Sequence, residues 1–416
     1  MLTLRNYAYG EWIRGTGRTT DLVHAVTGER LGETSSGGLD FKAMTEFARS
    51  VGGPAMRSLT FHQRAAMLKA LAKYLTERKD AFYALSSATG ATKGDSWVDI
   101  DGGIGTFFAY SSRGRREFPN ETFHVEGPTE PLSKNGTFVG RHICVPLEGV
   151  AIHINAFNFP VWGMMEKLAP ALLAGMPCIV KPATATSYLT EAVFRAMIES
   201  AILPAGAIQL ICGSAGDLLS HVTEQDAVAF TGSAATGQLL KEGRAIVEHS
   251  VRFNMEADSL NCCILGPDAV PGTEEFELFI KEVVREMTTK AGQKCTAVRR
   301  TIVPAGMEGD VVKALTGRLA KTTIGDPSVD GVRMGPLASK GQVRDVGANA
   351  DRIRAATELV FGGDDYEVIG ADRDKGAFFG PQLMVCDTPF SHHEPHDIEA
   401  FGPVNTVMPY RAFDEA

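Results

Sequence analysis

The sequence predicts an α/β protein with parallel sheets and two domains. Its 416 residues are too many for one simple hydrophobic core, which favours two domains over one. Short β-type runs alternate with helix-length segments through the middle of the chain, a pattern typical of βαβ units and a parallel sheet. The same alternation restarts after residue 256 and indicates a second α/β domain.

The first stretch of the chain is predicted to be largely helical. Leu68, Leu71 and Leu75 recur at helical spacing, and Thr60 is a suitable N-cap residue ahead of them. We therefore expect a scaffold helix from Thr60 to about Leu75.

The first parallel sheet is predicted from four β-type runs, each followed by a segment long enough for a helix. The runs lie at residues 150–154, 178–180, 207–211 and 228–230, and the helices are expected to begin near Trp162, Ser187, Ser214 and Ala234.

The second domain is predicted from a strand at 261–265, a helix around 275–291 and a strand at 301–304. A partly alternating β segment at 133–146 precedes the first sheet. We place the first domain at residues 1–130 and 147–257, a small β arm at 131–146 and the second domain at 258–416.

Composition excludes several classes of function. The formal net charge is −9 and no block of Lys or Arg offsets it, which excludes a nucleic-acid partner. No apolar run reaches the roughly 20 residues that span a bilayer, and the N-terminus has no apolar signal core, so we expect a cytoplasmic protein without a membrane partner. Seven cysteines without a framework spacing fit a reducing compartment, and the adjacent Cys262 and Cys263 are expected to pack in a strand.

Cys295 is the first candidate catalytic residue, in the run KAGQKCT (290–296). The thiolate is the reactive form of cysteine, and Lys290 and Lys294 would favour it if they face the sulfur. Glu256, in the run NMEADSLN (254–261), supplies a carboxylate upstream that can act as a base. On local sequence alone, Cys295 fits a small buried hydrophobe equally well.

Two further motifs complete a recognisable order. Asn158 lies in NAFNFP (155–160) and Glu399 begins EAFGPV (399–404). Together with the segments around Glu256 and Cys295, they resemble the aldehyde dehydrogenase superfamily in order and approximate spacing. The resemblance extends from about Gly10 to the end of the chain. Within the superfamily, the segments INAFNFP (154–160), MEADSLN (255–261) and WVDIDGGI (97–104) are similar to the dehydrogenase part of bifunctional ring-opening proteins of bacterial phenylacetate degradation, and to a semialdehyde dehydrogenase of benzoyl-CoA degradation.

The resemblance implies NAD(P)-dependent oxidation of an aldehyde through a cysteine adduct. Cys295 would attack the carbonyl carbon, the Asn158 amide and the Cys295 N–H would hold the oxyanion, and Glu256 would activate a water to release the acid. Partial burial is expected to tune Glu256 for this task. The alternatives are that Asn158 caps the helix opening at residues 159–160, that Glu256 is a surface residue, and that the acyl group passes to coenzyme A instead of water.

The cofactor segment lacks the G-x-G-x-x-G fingerprint, and FTGSAATG (230–237) is its equivalent, a strand end followed by a helix start that suits a pyrophosphate. The resemblance places Lys181 near the adenosine ribose and Glu399 on the nicotinamide ribose. NAD-preferring members often have Glu where this chain has Thr184, so NADP is the expected cofactor and NAD the alternative. The predicted cofactor residues are Lys181, Thr184, Gly213, Gly232, Ser233, Thr236, Glu399 and Phe401.

We predict no metal site. The run HHEPH (392–396) contains a Pro that would break a helix able to align ligands. By resemblance, the β arm would serve a homo-oligomer, and the substrate would be a semialdehyde attached to coenzyme A. Family members continue for several dozen residues beyond the position of Val404, so we expect the C-terminal part of the fold to be missing from this chain. Whether the full-length protein has a C-terminal hydratase domain, as the bifunctional relatives do, is left open.

Overall fold

The structure is a computed structural model that describes residues 1–416. The strands, in chain order, are β1 Leu2–Thr3, β2 Asn6–Ala8, β3 Glu11–Ile13, β4 Thr20–Val23, β5 Arg30–Thr34, β6 His124–Pro131, β7 Val139–Cys144, β8 Ala151–Ile154, β9 Cys178–Lys181, β10 Ile208–Leu210, β11 Ala227–Gly232, β12 Arg252–Ala257, β13 Asn261–Ile264, β14 Val298–Pro304, β15 Glu358–Phe361, β16 Gln382–Val385 and β17 Val404–Tyr410. The α-helices are α1 Phe41–Phe47, α2 Gly53–Arg57, α3 Phe61–Thr76, α4 Lys79–Ser86, α5 Lys93–Arg116, α6 Trp162–Ala174, α7 Ser187–Glu199, α8 Ala234–Lys241, α9 Arg244–Glu248, α10 Glu274–Thr288, α11 Glu308–Leu319, α12 Lys340–Arg354 and α13 Glu394–Asp397.

The chain divides into two compact units. The first comprises Met1–Leu22, Gly32–Phe82 and Trp97–Ala257, and the second comprises Val23–Leu31, Tyr83–Ser96 and Asp258–Ala416. The α/β class predicted from the sequence is confirmed, since each unit is built on a mostly parallel sheet.

The first unit holds a seven-stranded sheet in the order β12-β11-β8-β9-β10-β2-β3. The five strands from β12 to β10 are parallel, whereas β2 and β3 join as antiparallel edge strands. On one face, Phe41 and Met44 of α1 pack with Ile152, Ile179 and Val228 from three neighbouring strands. All five parallel strands therefore end at the same edge, and the loops that follow them are gathered there.

The scaffold helix predicted from Thr60 is confirmed as α3. Its N-terminus is a complete capping box, in which the Thr60 side chain accepts from the Gln63 N–H and the Gln63 side chain accepts from the Thr60 N–H. Leu68, Leu71 and Leu75 are fully buried, as their helical spacing predicts.

Helix α6 is capped by a residue from another helix. Its own N-cap residue, Val161, makes no side-chain cap hydrogen bond. Instead, Asp99 Oδ1 of the buried face of α5 accepts from the N–H groups of Val161, at 3.1 Å, and Trp162, at 2.8 Å. A buried carboxylate thus satisfies two N–H groups of the first turn and lies at the positive end of the helix.

The second unit holds a five-stranded sheet in the order β13-β14-β17-β16-β15, in which only β15 is antiparallel. Leu383 and Met384 are successive residues of β16 and point to opposite faces, as neighbours on a strand do. Leu383 packs with α10 and α11, and Met384 packs with α12. Both faces are therefore covered, as a parallel sheet requires.

Most predicted strands and helices are confirmed, with one clear error. No long helix follows residue 214, and a single 3₁₀ turn, Leu218–His221, occupies that segment. Gly213 and Gly216 both have positive φ values there, so the backbone turns away from helical geometry twice within four residues. Cys262 and Cys263 lie in β13 as predicted, and both thiols are free.

The segment predicted as a β arm forms an antiparallel hairpin of β6 and β7, longer than the sequence indicated because β6 begins at His124. Its apolar side chains are mostly exposed, at 63% for Phe138, 53% for Val139 and 58% for Ile143. Separately, none of the helices in the structure is long and apolar enough to cross a membrane.

We predict that Asp99→Ala lowers the free energy of unfolding by about 1–3 kcal/mol, because one buried and one partly buried N–H group lose their acceptor. Denaturant unfolding followed by fluorescence measures this change. Asp101→Ala on the same helix is the control, since Asp101 pairs with a partly exposed Lys79 at 2.7 Å, and its shift should be much smaller. Equal shifts for the two variants would contradict the capping role of Asp99.

Candidate active site

The carboxyl edge of the first sheet gathers most of the predicted site residues. Strands β8, β9, β11 and β12 are parallel neighbours, so the segments at their ends lie along one edge. The residues at or just beyond the ends of this sheet's parallel strands are Asn158, Lys181, Thr184, Gly213, Gly232, Ser233, Thr236 and Glu256.

Lys181 is a cation without a protein anion. It ends β9, its carbonyl accepts from the Asn155 N–H at 3.0 Å, and its ammonium has no hydrogen-bond or ion-pair partner in the chain. Burial lowers the pKa of Lys181, and the nearby Cys212 thiol opposes that shift. A half-buried ammonium at a ligand-binding edge suits an anionic or hydroxyl-bearing ligand.

Ser233 is the N-cap of α8. Its hydroxyl accepts from the Thr236 N–H at 3.4 Å and bonds the Thr236 hydroxyl at 3.0 Å. Gly232 ends β11, so a strand leads directly into a capped helix start, as the sequence predicts. The positive end of α8 therefore lies at the carboxyl edge, where it can attract a phosphate.

Gly213 and Thr184 have structural contacts of their own. Gly213 has φ +149, and a Cβ built there would lie 2.8 Å from the Ser36 nitrogen, so this close approach requires glycine. Thr184 begins a 3₁₀ turn, and its carbonyl accepts from the Ser187 hydroxyl at 2.8 Å.

Glu256 lies near the end of β12, opposite Thr231 of β11, whose hydroxyl donates to its carboxylate at 3.3 Å. The side chain is solvent-exposed, so the expected partial burial is wrong. Met255, its apolar neighbour in the sequence, is itself 37% exposed. Glu256 is therefore accessible to water on the edge strand of the sheet.

Asn158 is buried, and it does not cap the following helix. Helix α6 begins four residues later, at Trp162, and its first N–H groups bind Asp99. The alternative explanation of Asn158 as a helix cap is therefore wrong. Its side chain lies at the same edge as Lys181 and Glu256, in the loop that follows β8.

In the second unit, Cys295 follows a left-handed stretch of backbone. Lys290, Ala291 and Gly292 have φ values of +54°, +50° and +70°. Two of these residues carry a side chain, for which the left-handed region is unfavourable. Buried contacts hold the stretch in place, because the Lys290 N–H donates to Asp95 at 2.8 Å and the Lys290 ammonium donates to the Thr89 hydroxyl at 3.1 Å.

Cys295 is exposed, so its interpretation as a small buried hydrophobe is wrong. It lies in a turn closed by the Ala297 N–H, which donates to the Lys294 carbonyl at 3.2 Å. The two lysines near it also have partners of their own. The Lys294 ammonium pairs with Glu286 at 2.7 Å, and that of Lys290 bonds Thr89 as described above.

Glu399 forms a buried ion pair with Arg299 at 3.1 Å. Its other oxygen accepts from the Ser259 N–H at 3.0 Å, and the guanidinium also donates to the Gly402 carbonyl at 2.7 Å. Burial raises the pKa of Glu399, an effect that Arg299 opposes, and burial lowers the pKa of Arg299. The Phe401 ring lies 5.4 Å from the same guanidinium.

His396, the last residue of the histidine run, makes structural contacts. His396 Nε2 bonds the Pro389 carbonyl at 3.0 Å, and its Nδ1 lies 3.3 Å from Arg300.

Comparison with known proteins decides the family. The model of the aldehyde dehydrogenase family matches residues 12–416. The chain belongs to the aldehyde dehydrogenase family. The resemblance recognised in the motifs is therefore confirmed, and the protein is an NAD(P)-dependent aldehyde dehydrogenase that acts on small-molecule aldehydes.

Individual relatives agree with this assignment. The 3,4-dehydroadipyl-CoA semialdehyde dehydrogenase of Aromatoleum evansii is 47% identical over 411 residues, which cover 98% of this chain and 80% of the relative. The NADP(+) succinate-semialdehyde dehydrogenase of Escherichia coli K12 is 27% identical, with 98% and 80% covered. The crystal structure of betaine aldehyde dehydrogenase from Staphylococcus aureus in complex with NAD+ matches with a TM-score of 0.84 and 25% identity, over 100% of this chain and 79% of that one.

Sequence reasoning missed three residues of this aldehyde dehydrogenase that organise the candidate site: Asp99, Asn261 and Arg299. Arg299 carried a usable signal, because the period of two along β14 places it on the same buried face as Thr301 and Val303. Buried charges in proteins are usually paired. Asp99 and Asn261 act on segments far away in the sequence, and no local pattern marks them.

We predict that Arg299→Gln destabilises the dehydrogenase increasingly as pH rises. Without the guanidinium, the already raised pKa of Glu399 rises further. A carboxyl group with a raised pKa contributes stability that is present below its unfolded pKa and is lost as pH rises through its folded pKa. The gap between the unfolding midpoints of parent and variant should therefore widen as pH rises above the pKa of an unfolded glutamic acid, about 4.3.

The control is Arg318→Gln, which removes a partly exposed pair with Glu277 and should give a pH-independent gap. A constant gap for Arg299→Gln would contradict the coupling of Arg299 to the ionisation of Glu399.

Proposed function

We propose that this aldehyde dehydrogenase catalyses NADP-dependent oxidation of a semialdehyde linked to coenzyme A, produced by aromatic ring cleavage in phenylacetate catabolism, to the free acid. The observation that carries the proposal is the exposed Cys295 thiol on a turn whose backbone is anchored on both sides. The name of the Aromatoleum relative, 3,4-dehydroadipyl-CoA semialdehyde dehydrogenase, supports the substrate class.

The residues at the carboxyl edge fit a dinucleotide cofactor. Lys181 offers an ammonium without a protein partner, and the capped start of α8 offers backbone N–H groups to a pyrophosphate. In the second unit, Glu399 and Phe401 would hold the nicotinamide ribose. The bound oxidised nicotinamide would supply the hydride acceptor.

The chain's own residues account for the remaining chemistry. The Cys295 thiolate adds to the aldehyde carbon and forms a thiohemiacetal, whose oxyanion is stabilised by the Asn158 amide and the Cys295 N–H. Loss of hydride from that carbon leaves a thioester. Glu256 takes a proton from water, the resulting hydroxide attacks the thioester carbon, and the C–S bond breaks to release the acid and the thiolate. The exposure of Glu256 supports this last role, because the attacking water must reach it.

The assembly and the domain roles complete the proposal. The first domain, residues 1–130 and 147–257, would bind the cofactor, and the second, from residue 258, would carry the nucleophile. The arm at 131–146 would join a homo-oligomer, since its exposed Phe138 and Val139 offer apolar area to a second copy.

We predict that Glu256→Gln separates the two halves of the reaction, because hydride loss needs the thiolate whereas acid release needs the base. Stopped-flow absorbance should show a burst of about one reduced cofactor per site followed by slow turnover, with the acyl mass retained on the protein. This experiment also tests the proposed function.

Cys295→Ser is the matched control and should show neither burst nor acyl mass. If Glu256→Gln regained full turnover only with added coenzyme A, the acyl group would pass to a thiol and the hydrolytic assignment would be wrong. An unchanged steady-state rate without coenzyme A would remove Glu256 from the mechanism.

We predict that Lys181→Ala raises the KM for NADP far more than the KM for NAD. Pairing of the ammonium with the 2′-phosphate should be worth about 1.5–3 kcal/mol. Thr184→Glu should shift preference toward NAD, because its carboxylate would repel the phosphate and accept from both ribose hydroxyls. Initial rates with both cofactors measure the two effects. Equal losses for NAD and NADP in Lys181→Ala would show that the lysine serves only the shared ribose.

A further inference from the structure

The Cys295 turn is held by a side chain from the neighbouring strand. Asn261 Nδ2 donates to the Cys295 carbonyl at 2.7 Å and to the Ala297 carbonyl at 3.1 Å. The amide therefore donates both of its N–H groups to carbonyls of the same turn.

Local geometry of β13 places Asn261 for this task. Asn261 opens the strand and pairs with Val298, while the next residue, Cys262, pairs with Arg300. The register therefore shifts by one residue directly after Asn261, and such a bulge changes the direction in which a side chain points. The bulge lies beside the turn that contains Cys295.

The orientation of the amide is fixed by its other contact. The Ser259 hydroxyl donates to Asn261 Oδ1 at 2.8 Å. If the amide were flipped, its oxygen would face the Cys295 and Ala297 carbonyl oxygens, which cannot donate. The nitrogen must therefore face the turn.

The same network continues to the buried ion pair. The Ser259 N–H donates to Glu399, whose partner Arg299 donates to the Lys294 carbonyl at 3.3 Å. Side chains of this network thus bind three carbonyls of the turn, those of Lys294, Cys295 and Ala297. The Cys295 side chain itself remains exposed.

We propose that Asn261, supported by Ser259, is a positioning residue for the catalytic cysteine: it fixes the peptide plane on the carboxyl side of Cys295 and thereby the direction of the thiol. This proposal rests on the proposed function only in taking Cys295 as the nucleophile. Positioning of this kind acts on the chemical step, because a small displacement of a nucleophile costs far more in rate than in cofactor affinity.

The test compares Asn261→Ala and Asn261→Asp with the parent in two measurements on the whole chain. Hydrogen exchange reports whether the amides of residues 294–297 are held, and the rate constant of the reduced-cofactor burst reports the chemical step. Asn261→Ala should speed exchange and slow the burst about tenfold, with the cofactor KM unchanged. Asn261→Asp should be slower still, because a carboxylate oxygen would face the Cys295 carbonyl.

Asn405→Ala is the matched control. Its amide has the same chemistry in the same sheet, since Asn405 Oδ1 accepts from the Thr301 hydroxyl at 2.8 Å and Nδ2 donates to the Val298 carbonyl at 2.9 Å. Its amide hydrogen bonds go to Thr301 and Val298 and not to residues 294–297, so Asn405→Ala should lower the unfolding midpoint without slowing the burst. Ser259→Ala should give part of the Asn261 effect, and Ser259→Thr, which keeps the hydroxyl, should restore the parent burst.

Two results would overturn the proposal: unchanged exchange in Asn261→Ala, or faster exchange with an unchanged burst. Cys295→Ser separates this failure from that of the proposed function. If Cys295→Ser abolishes the burst while Asn261→Ala keeps it, only the positioning role is wrong. If Cys295→Ser keeps the burst, Cys295 is not the nucleophile, and both the proposed function and the positioning role are wrong.

Discussion

Both units depend on the fact that parallel strands begin at one edge of a sheet and end at the other. In the first unit the candidate residues follow the strands, at the carboxyl edge, where ligands of open α/β sheets usually bind. In the second unit they precede the strands. Asn261 opens β13, Cys295 comes just before β14, and Glu399 comes just before β17. The rule that ligands bind at the carboxyl edge of an α/β sheet therefore locates the candidate site of the first unit. In the second unit the same rule points to the wrong edge.

Loops at a sheet edge leave backbone groups that the sheet itself cannot satisfy, and buried side chains supply the missing partners. Asp226 is fully buried, accepts from the N–H groups of Val150 and Thr223, each at 2.7 Å, and forms an ion pair with Arg49. Asp99 likewise accepts from N–H groups at the start of α6. Asn261 instead donates to carbonyls of the Cys295 turn. Each of these polar residues fixes the conformation of a connecting segment. Leaving a buried backbone group unpaired costs more free energy than a typical hydrogen bond contributes, so these partners are needed.

The sequence predicted the elements that depend on local chemistry. The N-cap at Thr60 and the strand preceding Ser233 follow from neighbouring residues, and both are confirmed. The segment after Gly213 was predicted wrongly because two glycines with positive φ override a helix-length spacing. The burial of Glu256 was also predicted wrongly, because apolar neighbours in sequence do not cover a side chain on an edge strand. The hydrogen bonds of Asn261 to the Cys295 and Ala297 carbonyls link residues more than thirty positions apart, and only the fold brings them together.

A catalytic thiol has to satisfy two requirements that conflict. It must be accessible to a substrate, and exposed turns are the most mobile parts of a chain. The second unit separates the two requirements by restraining the backbone and leaving the side chain exposed. Left-handed residues at 290 and 291 each cost about 1–2 kcal/mol, and they persist because Lys290 is anchored in the interior at both its amide and its ammonium. All of these contacts lie within the second unit and are made by the chain's own residues. They restrain the Cys295 backbone, so under the proposed mechanism the reaction does not have to supply that ordering.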